Sequence, residues 1–178
     1  MNSEESKRES MTVILNRRSV RDFTEAVVDE ESLDKLVRAG MSAPTAKNMQ
    51  PWSFIVVTGR ETLDRLAEGL PYGKMLGKAH AAIVVCALPE LANNNSVELA
   101  VVDATCASEN ILLAAQALGL GSVWVASYPY EDRMEHVRGV LGIPGEVIPL
   151  CVLPLGHPVA VKPPIDKYRP EKIHHERW

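Results

Sequence analysis

The sequence predicts an α+β domain in which helices surround a single sheet and one helix packs centrally. Three observations carry that expectation. Short apolar runs suited to strands are interleaved with segments of helical spacing. One stretch, 97–118, is alanine-rich and apolar nearly all round, a pattern a helix shows when it is buried. A chain of 178 residues is sized for one core and not for two. We read it as a single domain, 1–178, with a polar tail over about 1–10 and a C-terminal extension over about 159–178.

Residues 11–18 suit a short helix, with Val13, Ile14 and Arg17 near one side. Asp29 is placed to cap the next helix, whose first turn holds Glu30 and Glu31 against the dipole. Leu33, Leu36, Val37 and Gly40 follow at helical spacing. A loop over 42–52 leads to a strand from Phe54 to Val57, ended by Gly59. Glu61 to Leu70 is helical, with Leu63, Leu66, Ala67 and Leu70 on one side, and 71–75 is a turn. Ala81 to Ala87 is apolar without interruption, the mark of a strand covered on both faces. Gly119 suits the left-handed turn that closes the long helix. Ser122 to Ala126 is a strand, and Glu131 to Leu141 a helix closed by Gly142 and Pro144. Val147 to Leu155 is a further strand, in which Pro149 and Pro154 predict an edge position or a bulge. The basic tail has no period and ends in Trp178, and docking on a second subunit would account for it.

Composition narrows the function. With 46% hydrophobic and 24% charged residues, the chain is neither disordered nor fibrous. No apolar run approaches the roughly 18 residues of a membrane span. The polar N-terminus lacks the apolar core of a signal peptide, so a cytoplasmic location is expected. A net charge of −4 argues against general nucleic-acid binding. Cys86, Cys106 and Cys151 sit in apolar surroundings with no metal or redox spacing and read as small buried hydrophobes. There is no nucleophile elbow, P-loop or zinc-protease helix, and His174-His175 is the sole adjacent histidine pair. Gly119-Leu-Gly121 lacks the third glycine of a dinucleotide fingerprint.

Two stretches remain. Arg17-Arg18-Ser19-Val20-Arg21 sets three guanidiniums around a hydroxyl, a donor set that matches phosphate oxygens; a solvated basic turn is the other reading. Ser42 to Trp52 holds Asn48 and Gln50 between Pro44 and Pro51. Stiffened by proline, that loop can read a flat ligand edged with heteroatoms, or its amides can serve only to cap backbone groups. Asp103, Glu109, Asn110 and Gln116 interrupt the apolar helix and are read first as helix-end or interface contacts. Anion-binding arginines and an amide loop without a catalytic side-chain set suit a borrowed reactive group.

These motifs in this order, with Gly119-Leu-Gly-Ser-Val-Trp124, the Gly156-His-Pro158 turn and the basic tail through Arg169, resemble the FMN-dependent nitroreductase family, among its short members. The likeness runs from about Met11 to the C-terminus. It implies a central mixed or antiparallel sheet flanked by helices, and a homodimer with FMN bound at the subunit interface. Arg17, Arg18 and Ser19 would hold the phosphate and ribityl chain with Lys167 and Arg169, and Arg21 would reach the pyrimidine edge. Pro44, Thr45, Ala46 and Asn48 would come from the other subunit, with Gln50 supporting the loop. Trp124 and Ala126 would approach the ring near N5, and Lys74 falls where the family often contacts the flavin. Larger members carry Glu-Gly where this chain has Ala126-Ser127. The implied activity is ping-pong hydride transfer from NADH or NADPH to nitroaromatic, quinone or similar acceptors. A flavin-binding sensor or storage module, a specialised role in flavin or deazaflavin metabolism or dehalogenation, and a distant nucleic-acid-binding reading of the arginines are the alternatives.

Overall fold

The computed structural model describes the backbone from Ser3 and the side chains from Ser10, each through Trp178. The elements are α1 (Ser3–Asn16), α2 (Glu30–Met41), β1 (Trp52–Val57), α3 (Arg60–Glu68), β2 (Ala81–Ala87), α4 (Val97–Ala117), β3 (Gly121–Ser122), β4 (Val125–Ala126), α5 (Glu131–Leu141) and β5 (Ile148–Gly156). The sheet runs β1-β2-β5-β3, with β4 also on β5, and all these pairings are antiparallel. One parallel bridge, Ser19 to Ser122, adds the arginine segment to the end of β3.

The seven apolar residues of β2 are buried because helices cover both faces of the sheet. Successive side chains of a strand point to opposite faces. Ala81, Ile83, Val85 and Ala87 join one core with Leu36 of α2 and Ala104, Ala107 and Ile111 of α4. Ala82, Val84 and Cys86 join the other, with Leu63 and Leu66 of α3 and Val137 of α5. Each fully buried leucine or isoleucine contributes about 1.5–3 kcal/mol of transfer free energy. Asp29 caps α2 as expected: its Oδ1 accepts the Ser32 N–H at 2.7 Å. Gly119 takes φ 71° after α4.

Three expectations change. The strand expected from Val147 to Leu155 is β5, and it lies between β2 and β3/β4 rather than at an edge. The bulge, the other position its prolines predicted, is present. Cys151 faces Val85 and Pro149 faces Cys86, so Leu150 is the extra residue of a bulge. The strand expected over 122–126 is split. β3 and β4 keep one register on β5, and the interruption at Val123–Trp124 falls opposite Leu153 and Pro154, where the proline has no N–H to give. The first helix starts at Ser3 instead of near Met11, replacing most of the expected N-terminal tail; Met1 and Asn2 of that tail lie outside the described residues. Among the described residues, no helix is long and apolar enough to cross a membrane.

Candidate functional site

The arginine segment is fixed by backbone pairing on both sides. The Val20 N–H donates to Ser122 O at 2.9 Å, the Thr24 N–H to His157 O at 2.9 Å, and the Val159 N–H to Asp22 O at 3.2 Å. Close approach at the first contact requires a glycine: a Cβ on Gly121 would meet Val20 Cγ1 at 2.6 Å. The turn carrying Gly156-His157-Pro158 therefore serves as the clamp for residues 19–24, with Phe23 bridged to Pro158.

Its side chains open onto two adjoining cavities that share Arg18. One, of about 280 Å³, is lined by Arg18, Ser19, Arg21 and Lys162. The other, of about 790 Å³, lies between the end of α1 and the tail, and presents Arg17, Arg18, Glu109, Lys167 and Tyr168. Arg17 Nε lies 3.5 Å from Glu109 Oε1, and Arg18 Nη1 donates to Pro163 O at 2.6 Å. Arg18 thus has a carbonyl but no carboxylate among the described residues, leaving its charge for an incoming anion. Beneath the segment, the Ser122 hydroxyl is buried and lacks a partner. Five cations face three carboxylates here, since Asp22 and Asp166 also line the walls. Lys162 was visible in the tail as one lysine among several, and nothing in the sequence marked it above the others.

The amide loop is strained and tied to α4. Lys47, Asn48 and Gln50 all have left-handed φ, at 52°, 57° and 52°. Such angles in non-glycine residues cost energy and cluster at ligand-binding sites. The buried Asp103 carboxylate accepts the Ala46 N–H at 3.3 Å, the Thr45 hydroxyl accepts the Gln50 N–H at 3.1 Å, and Gln50 Nε2 donates to Asn48 Oδ1 at 3.1 Å. Pro44, Asn48 and Gln50 remain exposed. Glu109 and Asn110 also make structural contacts, Glu109 with Arg17 and Asn110 donating to Ala39 O at 3.0 Å in the last turn of α2, a helix-end contact of the expected kind.

Not every candidate converges. Pro44, Thr45, Ala46, Asn48 and Gln50 line neither cavity. Asp103 and Glu109 anchor the loop and the arginines six residues apart on one helix. That spacing is about 9 Å of rise and about 120° of rotation, so one chain holds the two halves on different sides of α4. Trp124 is half-buried against the first core. Ala126 ends β4, and its carbonyl accepts Arg133 Nη1 at 3.4 Å. Lys74 is exposed at the start of a 3-10 turn, and Arg169 is exposed beside Tyr168. Trp124, Ala126, Lys74 and Arg169 also line neither cavity. Two of the three thiols offer no nucleophile: burial pushes Cys86 and Cys151 up to about 12, while Cys106, expected to be buried, is half-buried on α4.

Comparison with known proteins places this architecture. A sequence model of the nitroreductase family matches residues 14–70 and 67–157. A protein of Archaeoglobus fulgidus with the provisional name NADH dehydrogenase/NAD(P)H nitroreductase is 43% identical over 96% of this chain and 99% of its own. A crystal structure from Parabacteroides distasonis with the same provisional name superposes with TM-score 0.90 at 45% identity, over 96% of this chain and 99% of that one. An FMN-dependent nitroreductase from Clostridium difficile superposes with TM-score 0.87 at 28% identity, over 94% and 99%. This chain belongs to the nitroreductase family.

Proposed function

We propose that the protein is an FMN-dependent NAD(P)H oxidoreductase that works as a homodimer and reduces nitroaromatic, quinone or similar electron-poor acceptors. The carrying observation is the clamped Arg17–Arg21 segment, which faces Lys162 and Lys167 across cavities that share Arg18. That donor set fits a phosphate: guanidinium forks pair with its oxygens, and the ammoniums add point charge. Relatives named FMN-dependent nitroreductase and FMN reductase (NADPH) support the same cofactor.

Arg17, Arg18, Ser19, Lys162, Lys167 and Arg169 would hold the phosphate and ribityl chain. Arg21 would face the pyrimidine edge, where a cation favours the reduced, anionic ring. Trp124 and Ala126 would flank the ring, with Lys74 nearby. The exposed loop Pro44, Thr45, Ala46, Asn48 and Gln50 would act on the site of a second copy, since its own arginines lie around the other side of α4. Exposed apolar residues on α1 (Met11, Ile14 and Leu15), on α4 (Val102) and on the tail (Val161, Ile165 and Trp178) supply surface for that copy to cover. When bound, FMN would supply two-electron transfer from NADH or NADPH to the acceptor. The chain's residues would bind and orient, and no protein acid is required if water protonates the product.

Bleaching of the protein's visible absorption under anaerobic NADH or NADPH, and its return on adding a quinone, is the expected result. A bound flavin that neither nicotinamide reduces would point to a sensor or storage module and overturn the oxidoreductase reading.

A further inference from the structure

Of the four partly buried arginines, two lack a carboxylate partner among the described residues: Arg18, in the site above, and Arg133. Arg17 pairs with Glu109, and Arg138 with Glu131 and Glu135. Arg133 has no carboxylate partner among the described residues, and its Nε is buried with no hydrogen bond. Its one acceptor is the Ala126 carbonyl, at a long 3.4 Å. Its faces are taken by aromatic rings: the guanidinium carbon lies 3.7 Å from the Tyr130 centroid and 5.7 Å from that of Tyr72. With Nε buried and Nη1 turned to Ala126 O, stacking of this kind leaves Nη2 as the direction for recognition.

The position adds to the charge. Arg133 lies in the first turn of α5, where the helix dipole is already positive. Tyr130 occupies the N-cap without a side-chain cap, so the first-turn N–H groups lack the usual oxygen. Glu131 and Asp132 share the turn but are exposed. These two carboxylates answer the helix dipole, but neither pairs with Arg133, so the guanidinium itself is left for an incoming anion. Tyr72 is 74% exposed and Tyr130 47%, so flat apolar surface stands beside the unpaired edge.

We infer that Arg133, framed by Tyr72 and Tyr130, is an anion-recognition residue for a planar ligand that carries a carboxylate or phosphate, beside the end of β4. Its service to turnover rests on the flavoprotein reading, through Ala126. The anionic group has two sources: a carboxylate on an aromatic acceptor, or the 2′-phosphate of NADPH.

Calorimetric titration of the purified protein with benzoate and, separately, with adenosine 2′-monophosphate separates them, with flavin content read from the visible spectrum of each sample. At least one of these anions should bind, while its uncharged counterpart, benzyl alcohol or adenosine, binds at least about tenfold more weakly. R133Q should lose about tenfold or more for that anion with flavin content unchanged. R133K, which keeps the charge without the fork, should lose about threefold and serves if R133Q does not fold. Binding of benzoate alone assigns the site to the acceptor, and of the nucleotide alone to the reductant. Failure of both anions to bind, or equal binding by wild type and the Arg133 variant, overturns the inference. A colourless preparation that still binds an anion through Arg133 would leave the inference standing and count against the flavin reading.

Discussion

β2 and the C-terminal tail are opposite solutions within one chain. All seven residues of β2 are at most 1% exposed, each serving one of two cores. From Val159 onward every residue is exposed, with Val161 at 84% and Trp178 at 102%. The centre is complete within one polypeptide. The rim displays valine, isoleucine, tyrosine and tryptophan to water next to the arginine cavities, a surface suited to a second copy. The contrast teaches that folding and function draw on separate residues, so the two should come apart under mutation.

The largest break is expected in the centre. Ile111→Ala or Leu153→Ala, each emptying a fully buried site, should destabilise by about 2–5 kcal/mol in denaturant titrations. Arg18→Ala in the rim should do the reverse, weakening flavin retention about tenfold or more while shifting folding stability by less than about 0.5 kcal/mol. Equal flavin affinity in that variant would remove the phosphate role. Gly121→Ala sharpens the boundary, since the added Cβ would collide with Val20. It should displace the arginine segment, costing about 1–3 kcal/mol and lowering flavin affinity together. Unchanged values for both would show that the clamp does not depend on that contact.

Two titrations give smaller effects. Cys86 and Cys151 are held neutral in the fold up to about 12, against 9.0 for a free thiol. Their contribution is fully present below pH 9.0 and lost as pH rises toward about 12, because the unfolded thiols ionise first. Cys86→Ala with Cys151→Ala should flatten that alkaline decline. The bonds from Ser32 hold Asp29 below its usual 3.8. Its cap contribution is present above pH 3.8 and fades as pH falls through the lowered value, so the deficit of Asp29→Ala should shrink in acid.

The centre was also the legible part of the sequence. The bounds of β2 and α5, the Asp29 cap and the buried long helix follow from periodicity and end chemistry that need no distant partner. The reading of β5 as a possible edge missed its central place because a proline reports a missing N–H and not which neighbour goes without it. Pro154 leaves its gap toward Val123–Trp124, and Pro149 sits beside the Leu150 bulge. At the site, Arg17, Arg18, Ser19, Arg21 and Lys167 were marked by sequence and line the paired cavities. Lys162 was not singled out, since its place opposite Ser19 depends on how the tail folds back. Arg133 carried no sequence signal; its lack of a counter-ion is a property of packing alone.

Sedimentation of the freshly purified protein, followed by visible absorbance, tests the central claim most directly. The account predicts a yellow boundary at twice the 19.5 kDa chain mass, carrying one FMN per chain. A colourless protein that fails to take up added FMN, or colour sedimenting with a single chain, would contradict it.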